Sequence, residues 1–223
     1  MKFLISLFLL ISCAFGHQKK AKVIFFGDSI TQAGVQPNGY ITKLTQLLTE
    51  KNKAAGYELV GAGISGNKVY DLFLRMDDDV ISKKPDAVVI WVGVNDVWHK
   101  RTSGTGTDAD KFERFYNAII KKLKANNIAV FICTPAAIGE KTDFTNELDG
   151  DLNKYSEIIR NIAKNNNCPL IDLRKAFLSY NLANNKDNKE SGILTSDRVH
   201  LNEKGNQFVA DEMYKVLSET VIK

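Results

Sequence analysis

Few residues in this chain suit it to covalent stapling or metal binding. Its 223 residues include only three cysteines, three histidines, four prolines and two tryptophans. So few cysteines exclude a disulfide-framed small domain, and a chain of this length can bury enough apolar surface to fold without one. No H-x-x-x-H pair or close cysteine pair supplies metal-ligand spacing, so neither a metal nor a cofactor is expected. An excess of one charge is also missing: 30 Lys and Arg stand against 26 Asp and Glu, a formal net charge of +4. The signs are interspersed, as in Lys121, Lys122 and Lys124 against Asp77, Asp78 and Asp79. With no basic face interleaved with aromatics, nucleic acid is not an expected partner. No apolar run approaches the roughly 20 residues that cross a bilayer, so no transmembrane helix is expected. Repeats, linkers and low-complexity blocks are absent as well, which favours one domain.

The N-terminus reads differently from the rest. Met1-Lys2 precedes an apolar run over 3–11, followed by Ser12-Cys13-Ala14-Phe15-Gly16. A basic start, a short apolar core and small residues at the end make a secretory signal. Cleavage after Gly16 is the preferred reading. It makes 1–16 a signal peptide and 17–223 a single exported domain, secreted or periplasmic. The rival reading takes Leu10-Ile11-Ser12-Cys13 as a lipobox and puts a lipid anchor on Cys13, although that cysteine comes early for such a signal. Only Cys133 and Cys168 would remain after cleavage. They are expected at opposite ends of neighbouring strands, roughly 15 Å apart at about 3.3 Å per residue. A bridge needs Cα atoms within about 7 Å, so two buried free thiols are predicted.

Short apolar runs at 22–26, 57–62, 86–92, 128–133 and 169–173 read as strands buried on both faces. Amphipathic stretches lie between them. Tyr40, Ile41, Leu44, Leu47 and Leu48 share one helix face, as do Phe112, Phe115, Ile119, Ile120 and Leu123. Leu152, Tyr155, Ile158, Ile159 and Ile162 form a third such face, and a last helix is predicted over 202–219. This alternation predicts an α/β domain, a three-layer α/β/α sandwich on a five-stranded parallel sheet. The segments 98–107 and 183–196 show no periodicity and read as long loops beside the chemistry.

In an open α/β sheet, ligands bind at the carboxyl ends of the strands. There the chain delivers Gly27-Asp28-Ser29-Ile30-Thr31, Gly63-Ile64-Ser65-Gly66-Asn67 and Gly93-Val94-Asn95-Asp96, with Asp197-Arg198-Val199-His200 in the last loop. Each has a plain structural explanation on its own. Ser29 could be a helix cap, Asn95 a turn residue, and the Gly-Asp-Ser turn an anion-binding loop. Together they hold a nucleophile, a base, an acid and hydrogen-bond donors. Asp197, three residues before His200, can orient one imidazole nitrogen while the other faces a hydroxyl. His99, which Asp96 precedes by the same three-residue spacing, reads as a loop histidine without catalytic duty.

These four segments resemble, in order, the motif blocks of the SGNH (GDSL-type) hydrolases. Gly27-Asp28-Ser29-Ile30 resembles the first, with isoleucine where the family name has leucine. Gly66 after Ser65 stands for the second, Asn95 in Gly93-Val94-Asn95-Asp96 for the third, and Asp197-Arg198-Val199-His200 for the last. The match runs from 23 to about 206. The resemblance implies a flavodoxin-like sheet and a serine esterase with Ser29 as nucleophile, His200 as base and Asp197 as its orienting acid. It also implies an oxyanion hole made of the Ser29 and Gly66 amides and the Asn95 side chain. The sharp G-x-S-x-G elbow of the α/β-hydrolases is absent, in agreement. The expected substrate is a small-molecule or carbohydrate ester, with an O-acetyl sugar ester preferred. Trp98, Tyr70 and Trp91 are near the active edge, where an aromatic ring can stack on a sugar, although Trp91 lies on a strand and reads as core. The alternatives are a lysophospholipase, a short-chain lipid esterase or thioesterase, and a non-catalytic flavodoxin-like module that binds an anion or a carbohydrate.

Overall fold

The computed structural model describes residues 20–222, so the expected signal peptide at 1–16 and Cys13 lie outside the described residues. Five strands form one sheet: β1 (Ala21–Gly27), β2 (Tyr57–Gly63), β3 (Ala87–Trp91), β4 (Ala129–Cys133) and β5 (Leu170–Ile171). All pairs are parallel, in the order β2-β1-β3-β4-β5. Helices α1 (Ser29–Gly34), α2 (Tyr40–Glu50) and α8 (Glu203–Thr220) pack together, as do α3 (Val69–Asp79), α5 (Ala109–Ala125) and α6 (Asp149–Asn166). The two groups cover the two faces of the sheet, giving the expected three-layer α/β/α sandwich with flavodoxin-like strand order.

Sequence and burial agree closely at the centre. Every residue of β3 is buried, as are Val23 to Gly27 of β1. A strand covered on both faces has no solvent side, which is why these runs do not alternate. Helix α5 turns Phe112, Tyr116, Ile119, Ile120 and Leu123 inward. Removing each such side chain from water contributes about 1.5–3 kcal/mol. Phe115, expected on that face, sits at its margin and packs edge-on against Phe73 of α3 at 5.5 Å.

Register fixes where the site can form. Gly27 of β1 is level with Gly63 of β2 and Trp91 of β3, Trp91 with Cys133, and Cys133 with Ile171. The strands therefore end in one row, and the strand order reverses direction between β1 and β3. That reversal opens a crevice at the carboxyl edge, where open α/β sheets bind ligands.

The structure corrects several expectations. The 98–107 segment is half helix: α4 (Val94–Thr102) runs through it. The fifth strand is only two residues long, because Asp172 accepts a hydrogen bond from the Lys175 amide at 3.2 Å and starts α7 (Leu173–Asn184). The 183–196 segment accordingly begins in the last turn of α7 rather than in a loop. Cys133 and Cys168 are both buried and free. Since Ile171 is the partner of Cys133, Cys168 lies three positions upstream, about 10 Å along the strands rather than 15 Å. The separation still exceeds bridging distance.

Candidate active site

At the end of β1, Asp28 caps helix α1, its side chain accepting from the Ile30 amide at 3.0 Å. Ser29 is thus the first residue of the helix, where backbone N–H groups have no partner within the helix. Its Oγ lies 3.0 Å from His200 Nε2. His200 Nδ1 lies 2.7 Å from Asp197 Oδ2. A carboxylate at Nδ1 holds the ring proton there, so Nε2 is left to accept from the Ser29 hydroxyl.

Asp197 makes its own turn. Its Oδ1 accepts from the Val199 amide at 3.1 Å and the His200 amide at 2.8 Å, while Arg198 between them takes a left-handed φ of 85°. Burial pushes the Asp197 carboxyl up, but the bonds from the His200 ring and these amides outweigh it and hold the carboxyl below its ordinary value. Asp197 therefore remains a carboxylate beside the imidazole across the neutral range.

The residues expected to supply the other oxyanion donors follow β2 and β3. Gly66 follows β2 at φ +77°, a conformation that glycine adopts without strain. Asn95 is the second residue of α4, whose N-cap Gly93 (φ 130°) lies two residues beyond the end of β3. The Asn95 side-chain amide, 2% exposed, donates to the Asn67 carbonyl at 3.1 Å and so ties α4 to the Gly66 loop. Ser29 at the start of α1, Gly66 in the turn after β2 and Asn95 at the start of α4 thus lie just beyond the one row of strand ends, and Asp197 and His200 reach that row from the loop before α8.

A model of the GDSL-like lipase/acylhydrolase family matches residues 25–208. The chain belongs to that family. As a GDSL-type acylhydrolase it is a serine hydrolase of carboxylic esters. It is 30% identical over 172 residues to an acetylxylan esterase of Geobacillus stearothermophilus, covering 70% of this chain and 77% of that one. A crystal structure of an acetyl xylan esterase, AlAXEase, superposes with a TM-score of 0.86 at 67% identity, covering 87% of this chain and 98% of the other. The chain is also 25% identical to a Bacillus subtilis protein named uncharacterized lipoprotein YqeF, over 94% of this chain and 95% of that one.

Several residues that shape this GDSL-type site gave no signal in the sequence. Glu140, 1% exposed, accepts from the amides of Ile193 (2.9 Å), Leu194 (2.7 Å) and Thr195 (3.0 Å). It anchors the loop that carries Asp197 and His200. Next to it, the Gly139 amide donates to the Arg198 carbonyl at 2.8 Å, inside the Asp197 turn. Trp98 and His99, expected in a loop, instead lie on α4 one turn beyond Asn95, and helical spacing puts all three on one face. The Trp98 ring meets the His200 ring edge-on at 6.4 Å. A Cβ on Gly66 would meet His99 Cε1 at 3.8 Å, so His99 borders the Gly66 loop. Burial first, and the charge of Lys68 second, lower the His99 pKa and favour its neutral form. Trp91 is 3% exposed and packs on Tyr40 at 5.4 Å, so it is a core residue at the strand end level with Gly27.

Two buried carboxyls underlie the site. Burial raises Asp28 to about 7, with the Asp96 charge adding to it and the Ile30 amide and His200 opposing it. Burial likewise raises Asp96 to about 7, opposed by Thr107, the Val69 amide and Lys68. Among the described residues, no three His, Cys, Asp or Glu side chains group as metal ligands, and no helix is long and apolar enough to cross a membrane.

Proposed function

We propose that this chain is a secreted esterase that removes acetyl groups from carbohydrate esters of the xylan type through an acyl-enzyme on Ser29. The observation that carries the reading is the continuous relay from Ser29 Oγ through His200 (3.0 Å) to Asp197 (2.7 Å) at the sheet's carboxyl edge. Similarity to two acetylxylan esterases supports the substrate class.

In this reading the Ser29 oxygen attacks the acetyl carbonyl carbon and its proton passes to His200 Nε2. Negative charge collects on the former carbonyl oxygen, which the Ser29 and Gly66 amides and Asn95 Nδ2 receive. The intermediate collapses, the sugar oxygen takes the proton from His200, and the acetyl group stays on Ser29. Water then attacks the acyl-enzyme, giving its proton to His200, and acetate leaves as Ser29 recovers that proton. Asp197 orients the ring and stabilises the imidazolium without taking its proton. Trp98, half-buried beside His200, offers an aromatic face for the sugar ring on the side where the leaving oxygen must be protonated.

The leader over 1–16 and the lipobox-like Leu10-Ile11-Ser12-Cys13 both support export. Cleavage after Gly16, releasing 17–223 as one catalytic domain, is the proposed route. Similarity to a protein named a lipoprotein makes intact-mass measurement of the exported product the test of Cys13 acylation.

The activity test compares wild type, Ser29→Ala and His200→Ala on p-nitrophenyl acetate and on acetylated xylooligosaccharides. Acetate release by wild type with both variants inactive is the expected result. Unchanged activity in either variant refutes the relay. Preference for long-chain acyl glycerols over sugar acetates refutes the substrate class and favours the lipid-esterase alternative.

A further inference from the structure

The oxyanion donors proposed above come from three separate segments, and one side chain beneath them touches or braces all three. Arg75 on α3 is 15% exposed in its side chain. Its Nη2 donates to the Gly27 carbonyl at 2.7 Å and to the Ala62 carbonyl at 3.0 Å. Its Nε donates to Asn67 Oδ1 at 2.7 Å. Its Nη1 pairs with Asp79 at 2.6 Å, one helical turn along, and its guanidinium carbon lies 4.5 Å from the centre of the Phe26 ring.

Each contact leads to a donor. Gly27 ends β1, two residues before Ser29. Ala62 is the next-to-last residue of β2, which feeds the Gly66 turn. Asn67 follows Gly66 directly, and its carbonyl is the acceptor that holds the Asn95 amide at 3.1 Å. We infer that Arg75 is the positioning residue of the oxyanion hole. It fixes the spacing of the Ser29, Gly66 and Asn95 donors without touching substrate.

The chemistry requires arginine in particular. A guanidinium presents five N–H donors in one rigid plane, so it can serve two carbonyls, an amide oxygen and a carboxylate at once. A lysine ammonium is a point charge with three rotatable donors and cannot span the same four acceptors. The consequence is catalytic because oxyanion stabilisation depends on donors already in place when charge develops. Loosening the frame should therefore slow the chemical step more than it weakens ground-state binding.

The inference rests on the proposed role of Ser29, Gly66 and Asn95. Its test measures kcat and KM on p-nitrophenyl acetate, together with urea unfolding, for Arg75→Lys, Arg75→Gln, Asn67→Ala and the Arg75→Gln/Asn67→Ala double variant. The assay is run where unfolding curves show each variant folded. The expected result is kcat down about 10-fold in Arg75→Lys and about 100-fold in Arg75→Gln, with KM within about twofold. Asn67→Ala should also lower kcat, and the double variant should fall by less than the product of the single effects, because the two residues act in one chain. If Arg75→Gln fails to fold, Arg75→Lys carries the test. Folded variants with kcat within twofold of wild type, or with raised KM and unchanged kcat, overturn the inference. An active Ser29→Ala control would instead overturn the underlying site, so the two failures are told apart.

Discussion

Replacing Asp28 with asparagine would remove a charge from beneath Ser29 while leaving the helix cap in place. Asparagine still offers an oxygen to the Ile30 amide, which the aspartate accepts at 3.0 Å. Asp28 is 2% exposed, and burial raises its carboxyl to about 7, against an ordinary value of 3.8. Between about pH 4 and 7 the unfolded chain gives up this proton and the folded chain keeps it. The folded state then binds more protons, so stability falls as pH rises through that window and levels off above it. About three units at roughly 1.36 kcal/mol each give an upper bound of about 4 kcal/mol at pH 8. Asp96 shifts in the same direction, and the Asp28 and Asp96 charges oppose one another. Removing one therefore also eases ionisation of the other. Asp28→Asn should match wild type near pH 4 and exceed it at pH 8 by up to about 4 kcal/mol, roughly 10 °C in Tm for a chain of this size. The assay is urea unfolding at pH 4, 6 and 8, followed by the fluorescence of Trp91 and Trp98. A stability difference that is the same at pH 4 and pH 8 would refute the argument, because only a titrating buried charge makes it grow.

Asn95→Ala should lower kcat by about 10²–10³ with little change in KM, measured on p-nitrophenyl acetate, since it deletes one proposed oxyanion donor. Glu140→Gln should cost about 1–3 kcal/mol in urea unfolding, because at least one of the Ile193, Leu194 and Thr195 amides loses its acceptor. It should also lower kcat, as the loop carrying Asp197 and His200 loses its anchor; unaltered stability would show that the three amides find other partners. Trp98→Ala should raise KM for acetylated xylooligosaccharides by about five- to tenfold, the loss of one aromatic contact, and leave p-nitrophenyl acetate nearly unaffected. Equal effects on both substrates would place Trp98 against the acyl group instead of the sugar.

The legible parts of this protein are those that local pattern dictates. The runs at 22–26 and 57–62 became β1 and β2 with one-residue extensions, the first a continuous buried run of Val, Ile and Phe, the second an edge strand that is half-buried at best instead of covered on both faces as expected. The alternation with helices α2, α5, α6 and α8 then implied a parallel sheet, in which every loop that follows a strand leaves from the same carboxyl edge. That geometric necessity is why Ser29, Gly66 and Asn95 group together from the sequence alone. Helix α4 was not legible because its inward face is mixed. Val94 and Val97 alternate there with buried Asn95 and Asp96, so no apolar period survives. Helix α7 was hidden in the same way, burying Arg174 and Asn181 beside Leu173 and Phe177.

The supports of the site were illegible for a different reason. Glu140 lies more than fifty residues before the amides it holds, and Arg75 lies 48 residues after Gly27. Neither sits in a motif, and each looks in sequence like one more surface charge among 56, the sum of 30 basic and 26 acidic residues. What makes them different is burial. A charge taken out of water persists only where hydrogen bonds replace its hydration, so each must collect several backbone partners. In this fold the unpaired backbone groups gather where strands end and loops turn, at the carboxyl edge that also carries Ser29. The residues that stabilise the site are therefore drawn to it by the same unsatisfied backbone groups that make the edge a site.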